Sequence, residues 1–117
     1  MNSKDTVILK KLYSHTQAIV QYCGECRTLE QFEGNPMRVE ATVFNLMQIG
    51  ELAKTSLSEE TKEQFSSIPW KQIYGLRNRI VHGYDGVNMQ IVWDTVAEDI
   101  PILSGQLLQA ITKNEKL

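Results

Sequence analysis

The sequence predicts an all-α protein, an antiparallel bundle of four long helices with short helical turns between them. Three observations lead there. Apolar residues recur at steps of three and four along nearly the whole chain. Capping residues and prolines stand where helices should start, and glycines where they should stop. There are no internal repeats, no low-complexity segments and no linker long enough to divide the chain. With 117 residues, 42% of them hydrophobic, residues 1–117 read as a single domain with a real but modest core.

The first helix is expected over about residues 4–23, with Ile8, Leu12, Ile19 and Cys23 on one stripe. His15 lies on that stripe, where a histidine is read as a core or interface residue with one satisfied nitrogen. Gly24 stops the helix, and residues 28–32 form a short turn before Gly34. Asn35-Pro36 is an N-cap followed by proline at the first helical position. The helix after it runs to about Ser56 and carries Val43, Leu46, Met47, Ile49, Leu52, Ala53 and Leu57. Being apolar almost all round, it is expected to be the central buried element.

Glu51 is the exception on that helix, since it shares a face with Phe44 and Met47. Two readings fit: a carboxylate paired with Arg77 or Arg79, because a lone buried charge is costly, or a face open to solvent. Ser58-Glu59-Glu60 is a cap with first-turn acids, opening a short helix that ends near Phe65. The next helix starts around Ser67-Ile68-Pro69-Trp70, packs through Ile73, Leu76 and Ile80, and is expected to stop at Gly83, with His82 in its last turn. The final helix covers about residues 88–113 through Met89, Val92, Val96, Ile100, Leu103, Leu107 and Ile111. Pro101 inside it should bend the helix or break one backbone bond.

Composition excludes several functions. A net charge of −2 and a sequence pI near 5.7 argue against wholesale coating of nucleic acid, so any such contact must be local. No apolar run reaches the ~18 residues of a membrane span, and the amino terminus lacks a signal-peptide core; a cytoplasmic location is expected. Cys23 and Cys26 form a lone C-x-x-C. Neither His15 nor His82 stands at a metal-ligand spacing from them, and no strand pattern precedes them. They are read as small residues near a helix end, and no metal is expected.

The charge is unevenly spread. From Gln64 to Tyr84 there is no acidic residue, while Lys71, Arg77 and Arg79 give that window +3 on an otherwise acidic chain. A positive island of this kind suits an anion, phosphate first. Within it, Arg77-Asn78-Arg79-Ile80-Val81-His82-Gly83-Tyr84 combines guanidinium, imidazole and phenol. A neutral histidine can take the proton of a ribose 2′-OH, and arginine can hold the phosphate and offset the charge that builds in the transition state. That chemistry needs no metal and demands RNA. Positions 77 and 82 stand about 140° apart on an ideal helix, so they share a face only if the last turn unwinds or a second subunit contributes. The same residues also fit a structural role, because basic side chains in a last turn complement the helix dipole.

The motif resembles a known family. Arg77-x4-His82-x-Tyr84 is similar to the motif of the HepT-like branch of the HEPN superfamily, and the resemblance extends further. Ile49-Gly50-Glu51-Leu52-Ala53-Lys54, Ile68-Pro69-Trp70, Leu76 to Tyr84, Ile91-Val92-Trp93 and Glu98-Asp99-Ile100-Pro101 resemble family segments in the same order. The resemblance implies a helical, usually homodimeric fold with the motif lining a cleft between subunits. It implies a toxin of a two-component toxin–antitoxin system, acting as a metal-independent ribonuclease without a cofactor. Arg77 and His82 would be the catalytic pair, with Asn78 beside the arginine; Arg79 and Glu51 are read from the sequence itself as supporting residues. The implied partner is an MNT-class nucleotidyltransferase antitoxin that transfers AMP to Tyr84. The alternative is a non-catalytic dimeric partner and AMP acceptor of that nucleotidyltransferase.

Overall fold

Two antiparallel helices, α1 (Ser3–Cys23) and α3 (Pro36–Thr55), form the frame on which the other elements are laid. The structure, a computed structural model, describes residues 3–81 and 86–115. All of its regular elements there are helical, as expected. The antiparallel pairing is visible in the polar contacts that cross it: Cys23 Sγ lies 3.4 Å from Thr42 Oγ1, and His15 Nδ1 lies 2.8 Å from Asn45 Oδ1. Between them, Arg27 donates to the carbonyls of Gly24 and Cys26 at the end of α1. Short helix α2 (Leu29–Glu33) follows, capped by Thr28. Its buried Phe32 meets Trp93 at a ring separation of 5.7 Å. Truncating Phe32 to alanine would cost about 3–5 kcal/mol.

Asn35 caps α3 by accepting from the Arg38 N–H, and Pro36 takes the first helical position. The core face of α3 is Thr42, Asn45, Leu46, Ile49, Gly50 and Ala53. The helix is therefore not buried all round, as its composition suggests. Met37 and Phe44 point outward, 80% and 59% exposed, and Glu51 continues the same stripe. A helix has more circumference than this core covers, so its surplus apolar residues remain on the surface.

Helix α4 (Glu59–Gln64) starts at Ser58, whose hydroxyl accepts the Thr61 N–H. Lys62, only 6% exposed, places its ammonium 3.2 Å from Glu59 and 4.8 Å from the centre of the Tyr74 ring. Burial alone would lower its pKa, but Tyr74 and Glu59 outweigh burial and raise it.

The expected helix from residue 70 to Gly83 is two helices, α5 (Trp70–Tyr74) and α6 (Leu76–Ile80). Gly75 divides them at φ −79° and ψ −4°, where a residue of poor helix propensity lets the chain turn. The helix also ends sooner than Gly83: Val81 is extended, at φ −107° and ψ 118°. It pairs with Val87 in an antiparallel bridge, and the Asn88 N–H donates to the Ile80 carbonyl at 2.8 Å. Gly86, at φ 84°, adopts the left-handed conformation that a side chain would disfavour.

The last helical region is long but not uniform. Helix α7 (Met89–Asp94), capped by Asn88, passes through a π-helical turn (Thr95–Asp99) into α8 (Ile100–Glu115). Pro101 lacks the N–H that would bond Ala97 and crowds that carbonyl. The turn just before it widens, and Ile100 N–H reaches back to Thr95 O. Helix α8 runs antiparallel to α1: Gln17 donates to Ser104 Oγ at 2.6 Å, and Lys10 meets Glu115 at 2.7 Å. Three long helical elements and a divided fourth thus replace the four long helices expected. No helix among the described residues is long and apolar enough to cross a membrane.

Candidate nucleic-acid site

The basic cluster sits on α6, a five-residue helix pinned at both ends. Leu76 and Ile80 are buried, and between them Arg77, Asn78 and Arg79 are all exposed. Leu-x3-Ile places the two anchors one turn apart, so the three polar residues between them project from the other faces. Gly50 of α3 lets α5, which leads into this helix, lie close to the frame: an added Cβ would come within 3.1 Å of the Ile73 carbonyl oxygen and 3.9 Å of Leu76 Cβ. Both arginines lie in the last turn, where a guanidinium complements the helix dipole. Neither forms an ion pair with a described residue, and both side chains are exposed.

His82 and Tyr84, the other two motif residues, lie outside the described residues, as do Gly83 and Asp85. Their flanks are described. The chain leaves α6 at Val81 and returns at Val87, and the bridge between these two holds the flanks together. Because Val81 is already extended, the ideal-helix angle separating positions 77 and 82 does not apply.

Glu51 is exposed on α3, and no ion pair joins it to Arg77 or Arg79. Of the two readings of this carboxylate, the open face is the one observed within the chain. His15 is half-buried and hydrogen-bonded to Asn45, whose amide in turn donates to the Ala41 carbonyl. Cys23 and Cys26 are buried free thiols in the wall of one groove. Burial pushes the Cys23 thiol up, and with it away from the reactive thiolate.

Two arrangements were not foreseen from the sequence. Asp5 is buried on α1 and accepts from the Ser58 N–H at 3.1 Å and from the hydroxyls of Ser58 and Thr61, both at 2.6 Å. Its place three residues before Ile8, on the apolar stripe of α1, was the available signal. The second is a groove of about 80 Å³ between α5–α6 and the π turn with α8, lined by Ile73, Leu76, Arg79, Asp99, Ile102 and Leu103 among others. No spacing rule joins positions 79 and 99, so only the fold reveals it.

Comparison with known proteins identifies the family. A family model described as ribonuclease HepT-like matches residues 9–110. The chain belongs to the HepT-like family. Among HepT-like relatives, a protein provisionally named an RNase from Caldanaerobacter subterraneus subsp. tengcongensis is 38% identical over 75% of this chain and 78% of its own length. A second so named, from Methanocaldococcus jannaschii, is 28% identical over 86% of this chain and 83% of its own. A protein named a probable ribonuclease HepT from Thermococcus cleftensis is 36% identical over 56% of this chain and 59% of its own. No solved structure matches.

Proposed function

We propose that this protein is a metal-independent endoribonuclease and the toxin of a toxin–antitoxin pair. The observation that carries the reading is the exposed Arg77-Asn78-Arg79 row on an anchored helix, five residues before the histidine of the family motif. The names of the relatives support the same reaction class. In the reaction, His82 removes the 2′-OH proton, O2′ attacks the adjacent phosphorus, and the P–O5′ bond breaks. The leaving 5′-oxygen takes up a proton, and the products are a 2′,3′-cyclic phosphate and a 5′-hydroxyl. Arg77 binds the non-bridging oxygens and offsets the charge on the pentavalent transition state. Asn78 and Arg79 hold the neighbouring backbone, with Glu51 as outer electrostatic support.

The active species is a homodimer formed through the outer face of α3, where Met37 and Phe44 are exposed. The partner is an MNT-class nucleotidyltransferase, and Tyr84 is the residue that receives AMP. A nucleotidyl group there adds bulk and negative charge next to the arginines and competes with RNA.

The deciding experiment incubates wild type and His82→Ala with single-stranded and structured RNA in EDTA. Cleavage by wild type alone, leaving cyclic phosphate ends, is the expected result. Absence of cleavage by folded wild type unmodified at Tyr84 would favour the non-catalytic AMP-acceptor role instead.

A further inference from the structure

The groove beside the basic helix carries two opposite charges that do not pair. Arg79 and Asp99 line the same cleft, yet neither forms an ion pair or a side-chain hydrogen bond with the other or with any described residue. Both are exposed at its rim, while Ile73, Leu76, Ile100 and Leu103 in the wall are buried. Ile102, 64% exposed, extends the apolar wall outward. Asp99 belongs to the π turn, so the helical irregularity that accommodates Pro101 is part of this wall.

We propose that this groove is the base subsite of the RNA site and that it prefers guanine. The inference rests on the ribonuclease reading and assigns it a substrate preference. A nucleotide has the complementary pattern: a phosphate at one end, flat apolar faces, and an edge with hydrogen-bond donors. Arg79 itself lines the groove, so a backbone phosphate held by its guanidinium, next to the one on Arg77, brings an attached base to the mouth of the groove. The apolar wall receives a face of the base. The Asp99 carboxylate is an acceptor only. Guanine alone presents two adjacent N–H donors, N1–H and N2–H, to such a group. Uracil offers one, and the amino groups of adenine and cytosine stand next to acceptors that a carboxylate repels. Single-stranded RNA is read in this manner, by stacking and by the Watson–Crick edge.

The test maps cleavage on a single-stranded RNA containing every base step, using wild type, Asp99→Asn and Ile102→Ala. Alongside it, GMP and UMP are titrated into the full-length His82→Ala protein while the methyl signals of Ile100, Ile102 and Leu103 are followed by NMR. Both variants change exposed side chains, so the fold should survive. Wild type should favour steps flanking guanine, and Asp99→Asn should reduce that preference by about fivefold or more, the range expected for losing a bidentate base contact. Ile102→Ala should weaken GMP binding, and GMP should shift the methyl signals at concentrations where UMP does not. An unchanged cleavage preference in Asp99→Asn, or equal responses to GMP and UMP, would overturn the proposal and leave the ribonuclease reading standing. If wild type cleaves nothing, that reading fails, and the titration alone decides whether the groove binds the base. Methyl shifts caused by a protein partner and not by GMP would count against the base subsite.

Discussion

The carboxylate of Asp5 on α1 accepts the backbone N–H of Ser58 at 3.1 Å, across 53 residues of sequence. It thereby holds the start of α4 against the first turn of α1. Burial would raise the pKa of this carboxyl, but its bonds from Ser58 and Thr61 prevail and lower it below the ordinary 3.8. A folded-state pKa below the unfolded one means the stabilisation is complete above the ordinary value. It fades as pH falls through the lower folded value. Asp5→Asn should lose about 2 kcal/mol near neutrality. Its stability should also fall less than that of wild type as the pH drops below the ordinary value of 3.8, as read by urea melts at a series of pH values.

Gly50 and the Ile73 carbonyl bring α3 and α5 into close approach, with no room for a branched side chain. Gly50→Val should destabilise the fold by about 1–3 kcal/mol, the range for overpacking. Because α5 leads directly into α6, RNA cleavage should fall by more than the unfolded fraction explains. Thermal melts and turnover measured on the same preparation separate the two effects; a variant with wild-type turnover would break the link drawn here between this contact and the arginines.

Arg77 is exposed and makes no ion pair with a described residue, so its loss should spare the fold. Arg77→Ala should lower RNA cleavage by on the order of 100-fold at unchanged melting temperature. Arg77→Lys should recover only part, because an ammonium lacks the planar fork that holds phosphate through two bonds. Full recovery by lysine would reduce the role to simple charge.

Phe44 is more than half exposed on the outer face of α3, in line with Met37 and Glu51. If the proposed homodimer forms through this face, Phe44→Glu should leave the monomer fold intact and shift the protein from dimer to monomer in sedimentation equilibrium. RNA cleavage should fall with the dimer. A variant that remains dimeric would move the interface to another face.

The sequence was most readable where a local rule decides the structure. Asn35-Pro36 and Ser58 each cap a helix by a bond within the next three residues, as expected, and Asn88, expected as the first residue of the last helix, is its cap. Pro101 was recognised as a disturbance, but the π turn that absorbs it depends on packing that no pattern records. The break at Gly75 leaves no trace in the apolar pattern, because Ile73, Leu76 and Ile80 keep a helical period across it. The carboxylate that needs partners because it is buried is Asp5 and not Glu51. Glu51 stood on an apolar face that proved to be surface, whereas Asp5 stood on the stripe that became core. Lys71, Arg77 and Arg79 are legible as a positive island, and the structure places all three on the surface. The groove joining Arg79 to Asp99 required the chain to fold back through α8, which one-dimensional spacing does not encode.

The bridge between Val81 and Val87 ties the two flanks of residues 82–85 together where α6 ends and α7 is about to begin. Tyr84 is three residues along the chain from either end of this clasp. An enzyme that modifies its hydroxyl would therefore dock beside α6 and α7. Its footprint would then fall on the ground where Arg77 and Arg79 would receive RNA. An antitoxin working at Tyr84 would shield the arginines before it forms any covalent bond, so docking and modification would be two successive locks on one door.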